Sequence, residues 1–306
     1  MAQPTDSTPT PEELVARLVR LLTVEHREET LFAGQPQPGG VGRVFGGQVV
    51  AQALQAAQAT VGDGKMAHSL HAYFLRSGEE GPEITYRAAT DFEGRSFANR
   101  RVVAIQGGEV ILNLTASFHL EEEGLEHQDC AMPDVPPPEE LRSDMEIRRE
   151  VVEKLGERMN DNQRRLMLRP RPIDMRTTDK LHWMNNEPKE PRAHSWFRTV
   201  APLPDDPALH RAVIAYTSDF TLLGTSALPH GLSWMRGELL GASLDHALWF
   251  HRPARADEWL LYVTDSPWSG SGRGFNRGRI FNRQGQLVAS VAQEGVMRKR
   301  RNTGTR

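Results

Sequence analysis

Two polar side chains interrupt largely apolar runs, and a third stands at the start of a strand-like segment. Asp219 sits among Ile214, Ala215, Tyr216, Phe220, Leu222 and Leu223. A carboxylate in such company is costly to bury unless polar partners satisfy it. Either it has such partners, or it faces a solvent gap or caps a local backbone group. Gln293 and Glu294 interrupt a second apolar run, 287–298. Alternation along a strand sends these two to opposite faces, so one of them looks inward. Ser243 offers a hydroxyl just ahead of Leu244-Asp245-His246, at the opening of another strand-like segment. A carboxylate can take up a proton, and a carboxamide and a hydroxyl each donate and accept hydrogen bonds. Together they are suited to acid–base work on a small polar molecule.

The elements that must position these groups occur twice. The segment 71–76, His-Ala-Tyr-Phe-Leu-Arg, is echoed by 247–252, Ala-Leu-Trp-Phe-His-Arg, at an offset of 176. Phe97, Arg101, Gln106 and Gly107 are echoed by Phe275, Arg279, Gln284 and Gly285 at an offset of 178. A repeat of this length is a duplicated domain rather than a solenoid unit, which runs to about 20–50 residues. In the first copy a helix is expected over 46–59, uncharged and apolar around most of its circumference, with Gln48, Gln52, Gln55 and Gln58 its only polar side chains. β-Branched and aromatic runs at 68–76, 83–89, 97–105 and 110–120 read as antiparallel strands. The second copy repeats this order, with a strand near 195–200, a helix over 209–223 that contains Asp219, and strands at 243–251, 258–264, 275–282 and 287–298. At the offset of 178, Gln293 corresponds to Thr115, and the first helix carries no acid. A separate amphipathic helix is expected over 11–22, with Pro11 in its first turn. The proline-rich and charged stretch 121–165 reads as a connector.

Bulk properties exclude several classes. A formal net charge of −3 leaves no basic excess for nucleic acid. A single cysteine, Cys130, rules out an intrachain disulfide framework or a Cys-rich zinc site. No His-Glu-x-x-His or Cys-x-x-Cys occurs, so no metal is expected, and the absence of Gly-x-Ser-x-Gly argues against an α/β-hydrolase. The first ten residues lack the apolar core of a signal peptide, no stretch is long and apolar enough to span a membrane, and the terminal Thr-Gly-Thr-Arg is not a peroxisomal address, so a cytoplasmic setting is expected. The glycine-rich 269–274 superficially resembles a phosphate loop. It leads into a strand rather than a helix, and a flexible loop beside the site is the expectation. Arg273, Arg277 and Arg279 are either candidates for phosphate contact or ordinary exposed arginines on a strand face.

Several longer motifs then converge. Val44-Phe45-Gly46-Gly47-Gln48, Phe118-His119, Tyr216-Thr217-Ser218-Asp219-Phe220, the run 245–253 and Gln293-Glu294-Gly295-Val296-Met297-Arg298 closely resemble the acyl-CoA thioesterase II family, in the same order, from about Leu14 to Arg298. The resemblance implies an α+β double hot-dog fold, two tandem units each with a long antiparallel sheet wrapped around a central helix. The units are expected at 11–120 and 166–300, the second carrying the catalytic residues and joined to the first by 121–165. It also implies a catalytic set of Asp219, Ser243 and Gln293, where position 243 holds serine in place of the family's threonine. The hydroxyl survives, with a less fixed rotamer. The first unit is implied to supply structure and substrate-tunnel walls. The implied reaction is hydrolysis of acyl-CoA to free fatty acid and coenzyme A by a water molecule oriented by Asp219, Gln293 and Ser243. Coenzyme A is then part of the substrate, no cofactor or metal is needed, and a homo-oligomer is expected, with no nucleic-acid or membrane partner. Two alternatives stay open: an enoyl-CoA hydratase or dehydratase using Asp245 and His246, and a non-catalytic acyl-CoA-binding module. His246 reads more readily as a hydrogen-bonded structural histidine than as a base.

Overall fold

A computed structural model describes residues 8–37, 42–62, 64–178, 184, 186–234 and 236–300. The terminal segments read above for targeting signals, 1–7 and 303–306, lie outside the described residues. In the first half α1 (Pro11–Leu22) is followed by β1 (Val24–Glu28), β2 (Leu31–Gly34), α2 (Gly46–Gln58), β3 (Lys65–Phe74), β4 (Ile84–Glu93), β5 (Phe97–Gln106) and β6 (Glu109–Leu120). Two helices, α3 (Asp144–Leu155) and α4 (Asp161–Leu168), lie between the halves. The second half runs β7 (Ile173–Thr177), β8 (Arg192–Thr199), α5 (Pro207–Ser218), the single turn α6 (Leu222–Thr225), β9 (Leu239–Ser243), β10 (Asp245–Phe250), β11 (Leu260–Gly270), β12 (Arg273–Asn282) and β13 (Leu287–Lys299). Among the described residues no helix is long and apolar enough to cross a membrane.

These strands form one antiparallel sheet in the order β1-β2-β4-β5-β6-β3-β10-β13-β12-β11-β8-β7, with β9 also on β13. Each half wraps its sheet around one helix, which is the hot-dog arrangement that the motifs implied. The halves meet edge to edge at β3 and β10, where Leu70 pairs with Leu248 and Ala72 with His246. Joining them there leaves no unpaired edge at the centre of the molecule. Residues 176 apart then fall at matching places. Tyr86 and Tyr262 are both fully buried. Tyr86 donates to Gln52 Oε1 at 2.6 Å, and Tyr262 donates to the Ser218 carbonyl at 2.8 Å.

Register corrects one sequence correspondence. Ala116 pairs with Leu70 in the first half, and Gln293 occupies the matching inward place in the second. Thr115 points outward and is exposed. The offset drifts between 176 and 178 because of short bulges, and one residue of slip moves a side chain to the other face. At the place of Gln293 the first half therefore has an apolar alanine.

The sheet's concave face holds α2 and α5 in one continuous core that includes Val50, Ala53, Leu54, Val213 and Ile214. Small residues let the helices approach closely. A Cβ on Gly47 would lie 2.4 Å from the Tyr216 carbonyl oxygen, so only glycine fits. The outer face of the second half is covered by the region between the halves. Cys130, Met132, Val135 and Leu141 pack on Trp196, Trp259, Leu261 and Phe281, and Gln128 is tied to the Gly285 carbonyl and the Leu287 N–H. Residues 269–274 are no flexible loop: β11 and β12 are joined by a tight turn at Ser271 and Gly272, both with positive φ, 50° and 72°. Arg273 pairs with Glu294, while Arg277 and Arg279 face Asp265.

Gly47→Ala should force α2 away from α5 and lower stability by about 1–3 kcal/mol, the usual scale of core overpacking. Equilibrium denaturation of the purified variant measures this, and an unchanged midpoint would show that the helices can separate freely.

Candidate active site

Asp219 is where α5 ends. The helix expected to run to 223 stops at Ser218, with Asp219 as its C-cap at φ −86°, ψ −8°. The Thr217 and Ser218 hydroxyls fold back onto the Val213 and Ala215 carbonyls, and the Phe220 N–H closes a tight turn on the Thr217 carbonyl. Side-chain hydroxyls that compete with the backbone in this way favour a helix end. The acid therefore leaves the helix axis and turns toward the sheet.

Gln293 on β13 is the inward member of its pair, with 0% exposure. Glu294 points the other way, to Arg273. Ser243 does not open the strand that carries His246. It ends β9, and both β9 and β10 lie along β13, with Ser243 opposite Gly295 and Ala247 opposite Ala292. One extra residue is accommodated between them, a bulge at 244–245. Without it, Ser243 and His246, three apart, would face opposite sides of the sheet. With it, both face inward.

The three expected residues meet. Gln293 Nε2 donates to Asp219 Oδ1 at 2.6 Å and lies 3.1 Å from Ser243 Oγ. The Ser243 hydroxyl donates to Asp219 Oδ1 over a longer 3.4 Å. A fourth influence comes from the other half of the molecule, where the Gly47 N–H, in the first turn of α2, favours the ionised Asp219 carboxylate. That helix has no side-chain cap of its own, so the acid sits at its positive end. Gly46 must also be glycine, because a Cβ there would lie 2.8 Å from Asp219 Oδ2. The first half thus contributes the positive start of a helix to the site as well as structure. Burial raises the Asp219 pKa to about 6, against the lowering effect of Gln293, Gly47 and Ser243. Desolvation therefore wins over the hydrogen bonds, a balance that sequence could not sign.

Two further groups lie at the site. Gln293 Nε2 is 3.2 Å from His246 Nδ1, a contact the sequence reading did not foresee, although the Asp-His motif beside Ser243 was its available signal. Asp245 turns away and accepts from the Glu294 N–H, so Asp245 and His246 do not act on one space. Gln293 Oε1 is buried and makes no hydrogen bond among the described residues. Phe45, Tyr216 and Phe220 form an aromatic cluster beside Asp219, with centroids 4.8–5.2 Å apart. A cavity of about 730 Å³ beneath α1 is lined by Leu14, Leu18, Val19, Pro170 and Tyr216. It contains none of the three polar residues, and Tyr216 is the wall it shares with the cluster. No group of three or more His, Cys, Asp or Glu residues suited to a metal occurs among the described residues.

Residues 172–296 match the family model for acyl-CoA thioesterase, and residues 35–119 match that for the acyl-CoA thioesterase N-terminal domain. The chain is 36% identical to acyl-CoA thioesterase 2 of Haemophilus influenzae, over 94% of this chain and 98% of that protein. It is 36% identical to human acyl-coenzyme A thioesterase 8, over 91% of this chain and 88% of that one. The crystal structure of an acyl-CoA thioesterase II from Mycobacterium marinum superimposes with a TM-score of 0.74 at 38% identity, covering 95% of this chain and 99% of that one. A hot-dog protein from Alicyclobacillus acidocaldarius shares the fold, with a TM-score of 0.73 at 19% identity. With full-length relatives at this identity, and with both halves matched, the chain belongs to the acyl-CoA thioesterase family and is a thioester hydrolase.

Proposed function

We propose that this chain hydrolyses acyl-CoA to free fatty acid and coenzyme A by direct attack of water, with Asp219 as general base. The observation that carries the reading is one half-buried carboxylate receiving hydrogen bonds from Gln293 and Ser243 at the start of α2. Gln293 Oε1 is the open acceptor for one hydrogen of the attacking water. Asp219 takes the other proton as the water oxygen bonds to the thioester carbon. The carbon–sulfur bond then breaks, and the thiol leaves with a proton returned from Asp219. The positive end of α2 faces the negative charge that develops. No acyl-enzyme is formed.

Coenzyme A is part of the substrate in this reading, and no prosthetic group takes part. The family resemblance also supports a cytoplasmic, self-associating protein. Exposed Tyr73, Leu75, Phe92 and Phe97 are apolar surface that a second copy would cover. The hydratase alternative is disfavoured by the opposed directions of Asp245 and His246. Loss of enoyl absorbance on crotonyl-CoA without thiol release would favour it, and tight acyl-CoA binding with neither signal would favour a binding module.

Asp219→Asn should leave the fold intact and reduce thiol release at least ~100-fold, the scale of losing a general base. Turnover equal to wild type would end the assignment. Because Asp219 must be ionised to act, kcat/KM should fall as pH drops through about 6, and below that by about tenfold per pH unit. A limb near the ordinary carboxylate value, about 4, would instead mean that the reacting base is not buried. Ser243→Thr should keep or raise activity, since the hydroxyl remains and its rotamer is more restricted. A large drop in the same assay would show that the added methyl group does not fit.

A further inference from the structure

We propose that His246 is a positioning residue, which holds the Gln293 carboxamide in the one orientation that presents its nitrogen to Asp219. The inference rests on the hydrolytic reading above and adds a residue to it. His246 is fully buried on β10. Its Nδ1 lies 3.2 Å from Gln293 Nε2 and its Nε2 lies 2.9 Å from Ser218 Oγ. Ser218 decides which ring nitrogen carries the proton. A hydroxyl has one hydrogen, and that of Ser218 is given to the Ala215 carbonyl at 2.9 Å. Ser218 Oγ can then only accept from the ring, so the proton is on Nε2 and Nδ1 is left as an acceptor.

An accepting Nδ1 requires a donor opposite it, which is the amide nitrogen of Gln293. Were the Gln293 carboxamide turned over, its oxygen would face both an imidazole lone pair and the Asp219 carboxylate. The relay from the Ala215 carbonyl through Ser218 and His246 to Gln293 therefore runs in one direction and ends on the acid. His246 is bonded to Ser218 of α5 and Gln293 of β13 and is paired with Ala72 of β3, and Asp219 is the carboxylate that this network reaches. Burial also keeps the ring neutral, with its pKa lowered to about 4, so the relay persists while Asp219 titrates.

The duplication shows what the fold alone asks for here. The matching residue of the first half is Leu70, also fully buried. It stands opposite Ala116, in the half whose helix carries no acid. A leucine thus fits this place in the sheet, and a histidine is needed only where an amide must be held.

The test compares wild type, His246→Leu and His246→Asn by thiol release across pH. His246→Leu should unfold cooperatively and keep its KM but lose kcat by roughly 10- to 100-fold, the scale of misplacing a reacting group by about an ångström. Its acid limb should move to higher pH, because Asp219 loses a donor that favours its ionised form. His246→Asn, whose Oδ1 can replace Nδ1 as acceptor, should recover most of kcat and restore the limb. Wild-type kcat and limb in His246→Leu, or a loss confined to KM, would overturn the role. If the leucine variant does not fold, the asparagine variant decides: near-wild-type kcat supports the relay, and a loss with intact fold refutes it. Nitrogen NMR of the imidazole reads the tautomer directly and independently of turnover, so a proton on Nδ1 would refute the relay even if no thiol were released. Absence of thiol release by wild type would count against the hydrolytic reading alone.

Discussion

The partial burial of one carboxylate between two helix ends is the constraint on which the site depends. Asp219 leaves the C-terminus of α5 and meets the N-terminus of α2, so the two halves of a duplicated chain share one charge. Raising its pKa to about 6 corresponds to roughly 3 kcal/mol against the ionised form. Gln293, Ser243 and Gly47 hold that penalty down without cancelling it. The balance leaves a carboxyl group that is ionised at neutral pH and retains an appreciable affinity for a proton, which is what the proposed general base requires.

Close packing makes the contact possible. Gly46 and Gly47 bring the start of α2 against Asp219 and the Tyr216 carbonyl, where a single methyl group would collide. The same approach brings Phe45 of the first half against Tyr216 and Phe220, which flank the acid in sequence. Solvent exclusion and a helix's positive end then act on one carboxylate, with opposite effects on its proton affinity. Packing and electrostatics are set by the same two glycines.

Duplication supplies an internal control. Both halves bury a tyrosine hydroxyl at the same place, Tyr86 and Tyr262, and both bury a largely apolar helix in a curved sheet. Only the second half carries His246 and Gln293, where the first has Leu70 and Ala116. The first half has kept the architecture, and it places the start of α2 against Asp219. The two halves together make one site because the central pairing of β3 with β10 aligns their helices side by side.

Much of this was written in the chain itself. Alternating apolar residues, glycine-rich turns and a repeat near 176 residues were enough for a run of long antiparallel strands in each half and for two helices buried in sheets, though not for the order of the strands in the sheet. The apolar neighbours of Asp219 and the polar break at Gln293 marked the site, because burying such groups is too costly to be incidental. Local pattern could not place Ser243 and His246 on one face, since strict alternation separates them and only the bulge at 244–245 reunites them. Nor could it find Gly47, which is 172 residues from Asp219 in sequence. Hydrophobic periodicity is a property of short segments and survives in the sequence alone. The proton affinity of a buried acid depends on what long-range packing brings within hydrogen-bond distance, and that was decided by the tertiary structure.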